Sequence, residues 1–150
     1  MIRYYPSRTL TLPILEAAIE SSEIRPDLVI VDYASLLRPP TKRDERRYEL
    51  VEIFESLRGV AGRVGIPVWT AHQANRTGVS VRLLGMEHQS ECFEIGGVID
   101  LGISVNRDVS KPAECVLYVW KNRLGKSEVE IPCAANWETS MIRCVADDVE

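Results

Sequence analysis

The stretch "DLVIVDY", Asp27 to Tyr33, constrains the fold more than any other. Leu28 to Val31 is a continuous apolar run rich in β-branched side chains. A half-solvated strand alternates polar and apolar residues, so an unbroken run suits a strand covered on both faces, as in a parallel α/β sheet. A second run, "IPVWTAHQ", is the next buried strand. Between them lies a long helical pattern ending at about Val64. Leu50, Ile53, Phe54, Leu57, Val60, Ala61 and Val64 recur on one helix face, and Gly65 ends it.

The flanking segments extend this plan. Thr11 to about Ser22 reads as a helix, with Thr11 at the N-cap, Pro13 in the first turn, and Leu12, Leu15 and Ile19 at helical spacing. Pro26 breaks that pattern. Leu37 to Arg47 is a polar loop with two prolines and five basic side chains. Ala74 to about Gly85 has no strong period and reads as loop. A short helix is expected near His88 to Ile95, stopped by Gly96-Gly97. From Val98 the pattern turns to β: "VIDLGISV", "ECVLYVW", "SEVEIPCA" and "SMIRCVA" are four strand candidates, the third alternating as a half-solvated strand does. The expected fold class is α/β in a single domain, residues 1–150: a mostly parallel central sheet with helices on both faces, then a β-hairpin region.

Composition narrows the function classes. A chain of 150 residues that is 45% hydrophobic and 27% charged is ordinary for a soluble globular domain. No apolar run approaches the roughly 20 residues needed to span a bilayer, and "MIRYYPSRTL" lacks a secretory h-region. A cytoplasmic location with no membrane partner is the expectation. Cys92, Cys115, Cys133 and Cys144 form no close pair in sequence, and His72 and His88 have no metal-ligand spacing to them, so reduced thiols in strands are expected. The net charge of −4 excludes a globally basic nucleic-acid binder but leaves room for a local basic surface.

The segment "KNRLGKS", Lys121 to Ser127, looks like the end of a phosphate-binding loop. A G-x-x-x-x-G-K-[ST] loop needs its first glycine at position 120, where this chain has Trp120, and must lead into a helix. The period-two "SEVEIP" follows instead. Gly125-Lys126 therefore reads as a hairpin turn, and no other segment supplies a phosphate loop.

Three groups of residues do carry chemistry. Asp32 ends the first buried strand, where α/β folds bind ligands and where a carboxylate can orient Mg²⁺ through water. A strand-end aspartate that only caps the next turn is at least as common. Thr70, His72, Gln73 and Arg76 cluster at the end of the second strand, where an amide such as Gln73 can sense a γ-phosphate or position water; a satisfied polar loop is the alternative, and for His72 it is the better one. Lys121 and Arg123, one residue apart in a strand or its exit, point the same way. Two cations on one face suit a polyphosphate, including a neighbour's nucleotide reached as an arginine finger. A solvated edge-strand face is the plainer reading.

Taken together, "PDLVIVDYASLL", "LRGVAGRVGIPVW", "HQANR", "VIDLGISVNR" and "VWKNRLGKSEVEI" resemble the C-terminal half of a DnaB-type replicative helicase ATPase domain, of the RecA-like P-loop NTPase group, from about Pro26 to about Ile131. The resemblance implies a partial RecA-like three-layer fold and a role in DNA replication. It implies that Asp32 is the Walker B aspartate at the Mg²⁺ and ATP site, that Gln73 links the γ-phosphate to DNA-binding loops, and that Lys121 and Arg123 reach the ATP of an adjacent subunit. It implies a hexameric ring that threads single-stranded DNA, with DNA loops at about Leu36 to Arg47, Ala74 to Gln89 and Asn106 to Glu114. The first loop brings Arg38, Lys42, Arg43, Arg46 and Arg47, and the second Arg76. Salt-sensitive phosphate contacts follow from such residues, although Asp44 and Glu45 partly offset them and a charged, solvated helix start is the alternative.

Two departures from the family's pattern matter. His72 stands where the family has Ser or Thr. The phosphate loop and the catalytic glutamate belong to an N-terminal half that this sequence does not contain. The chain alone is therefore expected not to hydrolyse ATP appreciably, and to need that half in cis or in trans. An exposed sheet edge or apolar face, with self-association, is expected where the absent strands pair. Two other readings stand beside this one: a RecA-like recombinase or clock-regulator ATPase fragment, and a non-catalytic binding or assembly domain that kept the fold.

Overall fold

The computed structural model describes residues 1–73, 82–85, 94–107 and 110–145. The chain falls into two compact units. The first holds helix α1 (Leu12–Glu20), strand β1 (Val29–Val31), a 3₁₀ turn (Ala34–Leu36), helix α2 (Arg46–Val64), strand β2 (Val68–Thr70) and helix α3 (Ile95–Val98). The second holds strands β3 (Leu101–Arg107), β4 (Glu114–Asn122), β5 (Val129–Asn136) and β6 (Met141–Cys144).

In the first unit the expected elements form where the local pattern demands them. Helix α1 starts after Thr11, whose extended backbone makes it the N-cap by position while its hydroxyl caps nothing. The α2 stripe buries Leu50, Ile53, Phe54, Leu57 and Val60. Gly65 follows in the left-handed region at φ 66°, and its N–H donates to Ala61 O at 2.9 Å. Glycine takes that conformation without the Cβ clash that other residues meet. Arg63 clamps Glu16 of α1 with two hydrogen bonds, at 2.6 and 2.8 Å. The core joins α1, α2 and Ile95 of α3 to Val31, with Val29 and Val68 packed against it. Ile53 and Val60 are fully buried; truncating Ile53 to Ala costs about 2–5 kcal/mol.

Strands β1 and β2 pair in parallel, Val29 with Val68, Ile30 with Trp69 and Val31 with Thr70. Here one expectation, that both apolar runs are buried on both faces, is corrected. The described helices of the first unit pack on the Val29–Val31–Val68 face, so among the described residues the strands have helices on one face. On the opposite face Ile30 is 69% exposed and Trp69 55%. Period two sends alternate side chains to opposite faces, and an apolar run does not itself say which elements are present to cover each. The parallel sheet has two strands among the described residues, and both of its outer edges are unpaired there.

The short helix does not end where the glycines were expected to end it. It spans Ile95–Val98 and runs through Gly96-Gly97 instead of stopping at them; residues 88–93 lie outside the described residues. Buried Ile95 anchors this single turn, and the Gly97 amide still donates to Glu94 O at 2.9 Å. Packing here outweighs the glycines' poor helix propensity of about 1 kcal/mol each.

The second unit is an antiparallel meander in the order β3-β4-β5-β6. β5 alternates as its sequence does, with Cys133 and Ala135 inward and Glu130, Pro132 and Ala134 outward. Its small core is Cys115, Cys133 and Ala135, with Leu117 and Ile131 against them. A bulge lies between Gly102 and Ile103. A Cβ at Gly102 would sit 2.3 Å from the Trp120 ring, so only glycine lets that indole lie across β3. Buried Asn106 is satisfied: its Nδ2 donates to Val116 O at 3.1 Å and its Oδ1 accepts from the Leu84 amide at 2.7 Å. The Ser104 hydroxyl donates to Leu84 O at 2.7 Å, so two side chains of β3 hold residues 82–85 to the sheet.

Candidate functional site

The parallel register makes Val31 and Thr70 the last pair of the two-stranded sheet, so Asp32 and Ala71 leave it side by side. Asp32 is exposed, and its carboxylate makes no hydrogen bond or ion pair among the described residues. It lines an open groove of about 960 Å³ with Tyr4, Ile30, Tyr33 and Leu36. Gln73, two residues beyond Ala71, is also exposed. The first unit thus brings Asp32 and Gln73 to the same strand ends. Arg76 lies outside the described residues.

Thr70 holds the turn after Asp32. Its hydroxyl donates to Val31 O and accepts from the Ala34 amide, both at 2.8 Å. One side chain of β2 therefore fixes both the exit of β1 and the first residue of the 3₁₀ turn. The sequence signal was a lone hydroxyl closing an apolar strand, but only the parallel register reveals what it reaches. His72, the departure from the family pattern, packs edge-on against Phe54 of α2, ring centroids 5.8 Å apart.

The basic loop is largely neutralised by its own helix. Arg46 donates to Glu49 at 2.8 Å and to Ser35 O, while Arg8 reaches the same Glu49 carboxylate at 3.0 Å. Arg43 pairs with Glu52 at 3.4 Å, and Arg47 with Glu45 at 2.8 Å while lying over the Tyr48 ring. Arg38 and Lys42 are exposed and make no side-chain hydrogen bond or ion pair among the described residues. Glu49 is buried, and the hydrogen bond from Arg46 holds its carboxyl below the usual range against the opposing effect of burial.

In the second unit Lys121 lies on β4 opposite Gly102, and Arg123 follows in the turn. Arg123 pairs with Asp100 at 3.1 Å, and its amide donates to Asp100 O at 2.8 Å. The rest of "KNRLGKS" is a turn into β5, not a loop into a helix. Asn122 organises it: its Oδ1 accepts from the Leu124 amide at 3.1 Å, and its own amide donates to the Ser127 hydroxyl at 3.0 Å. Lys126 is exposed.

Mg²⁺ takes carboxylate, phosphate and water oxygens in near-octahedral geometry. Asp32 offers one such donor. No group of three His, Cys, Asp or Glu side chains among the described residues converges on a metal-sized site. One exposed carboxylate is a donor set that would fit a single contact to a hydrated Mg²⁺ and no more. No described helix is long and apolar enough to cross a membrane.

Comparison with known proteins points in one direction. No family model matches the chain. A stretch of 97 residues, 65% of the chain, is 42% identical to the replicative DNA helicase DnaB of Pasteurella multocida (strain Pm70), covering 18% of that protein. The DnaB of Haemophilus influenzae is 40% identical over 50 residues, 33% of the chain and 11% of that protein. The DnaB of Buchnera aphidicola subsp. Schizaphis graminum is 25% identical over 97 residues, 65% of the chain and 18% of that protein. Among solved structures, the ATPase domain of G40P superposes with a TM-score of 0.80 at 15% identity, over 91% of this chain and 52% of that one. A DnaB-like replicative helicase, solved in a study of its interactions with primase, gives 0.75 at 16% identity, over 85% and 34%. These structures show the fold, and the chain spans less than a fifth of the length of these curated relatives.

Proposed function

We propose that this chain, homologous to the DnaB replicative helicases over 97 residues and folded like their ATPase domains, serves as part of an ATP-driven ring helicase on single-stranded DNA. The observation that carries the reading is the pairing of Val31 with Thr70, which sets Asp32 and Gln73 at adjacent strand ends. In the proposed role the Asp32 carboxylate holds a water of the Mg²⁺ shell, and the Gln73 amide reads the presence of the γ-phosphate. Mg-ATP, when bound, supplies the phosphoryl group and its charge neutralisation. Lys121 and Arg123 act on the nucleotide of a neighbouring subunit, where cations stabilise charge that develops in the transition state. Arg123 then exchanges Asp100 for phosphate, an exchange that exposed ion pairs permit at small cost. Within the basic loop, Arg38 and Lys42 are the side chains that can take DNA phosphates without first breaking an ion pair.

The chain brings no phosphate loop, and the backbone amides of that loop are the main source of nucleotide affinity in such enzymes. On this reading ATP hydrolysis requires a phosphate-loop half in cis or in trans. The test is single-stranded-DNA-stimulated ATPase of the chain alone and mixed with such a half. Activity is expected only in the mixture, and Asp32→Ala removes it. Robust turnover by the chain alone, or no turnover in a mixture shown to associate, overturns the reading. The Asp100 partner of Arg123 also fits a binding or assembly domain without catalysis, and a stable, inactive mixture is the result that selects it.

A further inference from the structure

The second unit carries a row of three thiols that the proposed helicase role does not use. Cys115, Cys133 and Cys144 occupy opposed positions on β4, β5 and β6. The two neighbouring pairs are not equivalent. The Val145 amide donates to Pro132 O, which makes 132/145 a hydrogen-bonded pair and 133/144 a non-hydrogen-bonded one. On the other side the Ala135 amide donates to Ala113 O, so 115/133 falls at a hydrogen-bonded position two residues along. Side chains approach more closely at non-hydrogen-bonded positions, with Cα atoms about 4.5 Å apart, near the lower end of the range a disulfide spans. The sulfurs of Cys133 and Cys144 are 3.7 Å apart. All three cysteines are free thiols, Cys144 exposed and the other two buried.

We propose that Cys133 and Cys144 form an oxidation site, closing to a cross-strand disulfide that staples β6 to β5 when the chain meets a low-molecular-weight disulfide such as glutathione disulfide. The exposed Cys144 thiolate attacks glutathione disulfide, forming a mixed disulfide and releasing one glutathione thiolate. The Cys133 sulfur, once deprotonated, attacks the Cys144 sulfur of that mixed disulfide and releases the second. Two protein thiols lose two electrons and two protons, and glutathione disulfide is reduced to two glutathiones. Burial, with a smaller contribution from Cys144, pushes the Cys133 thiol up to about 11. Cys133 is therefore a poor first nucleophile and acts second, with its electrophile already delivered beside it. The staple has something to hold, because all four residues of β6 are exposed and, among the described residues, the strand pairs along one edge only.

The test is to incubate the purified chain with glutathione disulfide at mildly alkaline pH, block free thiols, and map disulfides by mass spectrometry. The expected product is a monomer with a 133–144 link, reversed by dithiothreitol. Hydrogen exchange of the β6 amides is expected to slow by about tenfold on closure. Cys133→Ser is expected to trap the glutathione adduct on Cys144, and Cys144→Ser to leave Cys133 reduced. Because Cys144 is exposed, that variant is expected to keep the β-sheet circular dichroism signal. A chain that stays fully reduced, a link through Cys115 or Cys92, or an intermolecular disulfide overturns the proposal.

Discussion

The Thr70 hydroxyl lies between the Val31 carbonyl and the Ala34 amide, 2.8 Å from each, and so ties β2 to the turn that follows Asp32. Thr70→Val keeps the shape and removes both bonds, leaving the amide of fully buried Ala34 without its partner. A buried donor left unsatisfied costs about 1–3 kcal/mol. The denaturation midpoint in urea should fall accordingly, while Thr70→Ser should retain most of the stability. Equal losses in the two variants would refute the bridging role.

Glu49 gives the stability a pH dependence. Its carboxyl is held below its ordinary value of 4.5 in the folded chain, chiefly by the Arg46 hydrogen bond. A depressed folded-state value means the contribution is fully present above pH 4.5 and is lost as pH falls through the lower, folded-state value. Glu49→Gln should lower stability at neutral pH and flatten the acid limb of a midpoint-against-pH curve. An unchanged acid limb in the variant would show that other carboxylates set it.

Gly102→Ala should destabilise the β3–β4 pair. The added methyl would lie 2.3 Å from the Trp120 ring, which must then move. Overpacking of this kind costs about 1–3 kcal/mol. Trp120→Leu in the same chain should recover part of the loss, a coupling that a double-mutant cycle measures. Additive losses would mean that the ring is not what glycine accommodates.

The Arg123–Asp100 pair separates stability from activity. Both side chains are about half exposed, and such pairs contribute less than about 1 kcal/mol. Arg123→Ala should leave the unfolding midpoint nearly unchanged and abolish ATPase in the mixture with a phosphate-loop half. If the variant kept that activity, the proposed trans-acting role would be lost while the fold assignment stood.

Arg38 and Lys42 should set part of any salt dependence of DNA binding. If each contacts one phosphate of single-stranded DNA, replacing both with Ala lowers the slope of log affinity against log salt by about 1.4. Arg43→Ala, which first breaks a pair with Glu52, should change the slope less. Fluorescence anisotropy across a salt series measures both.

Much of this molecule was legible from local pattern. The α2 stripe, the left-handed Gly65, the alternation of β5 and the failure of "GKS" as a phosphate loop each depend on residues within a turn or two of one another, so sequence alone determined them. The order of apolar strand, long helix and apolar strand likewise fixed a parallel pair. Tertiary structure decided what depends on distant partners. Ile30 and Trp69 read as buried because their runs are apolar, yet they face outward, since coverage depends on which other elements are present. The cations of the basic loop looked available until folding set Glu49 and Glu52 beside Arg46 and Arg43. Cys133 and Cys144 look unremarkable in sequence and meet only because the β5–β6 register opposes them at a non-hydrogen-bonded position. Periodicity is a property of the local backbone and can be read along the chain; register and charge pairing arise from contacts between segments that the sequence order keeps apart.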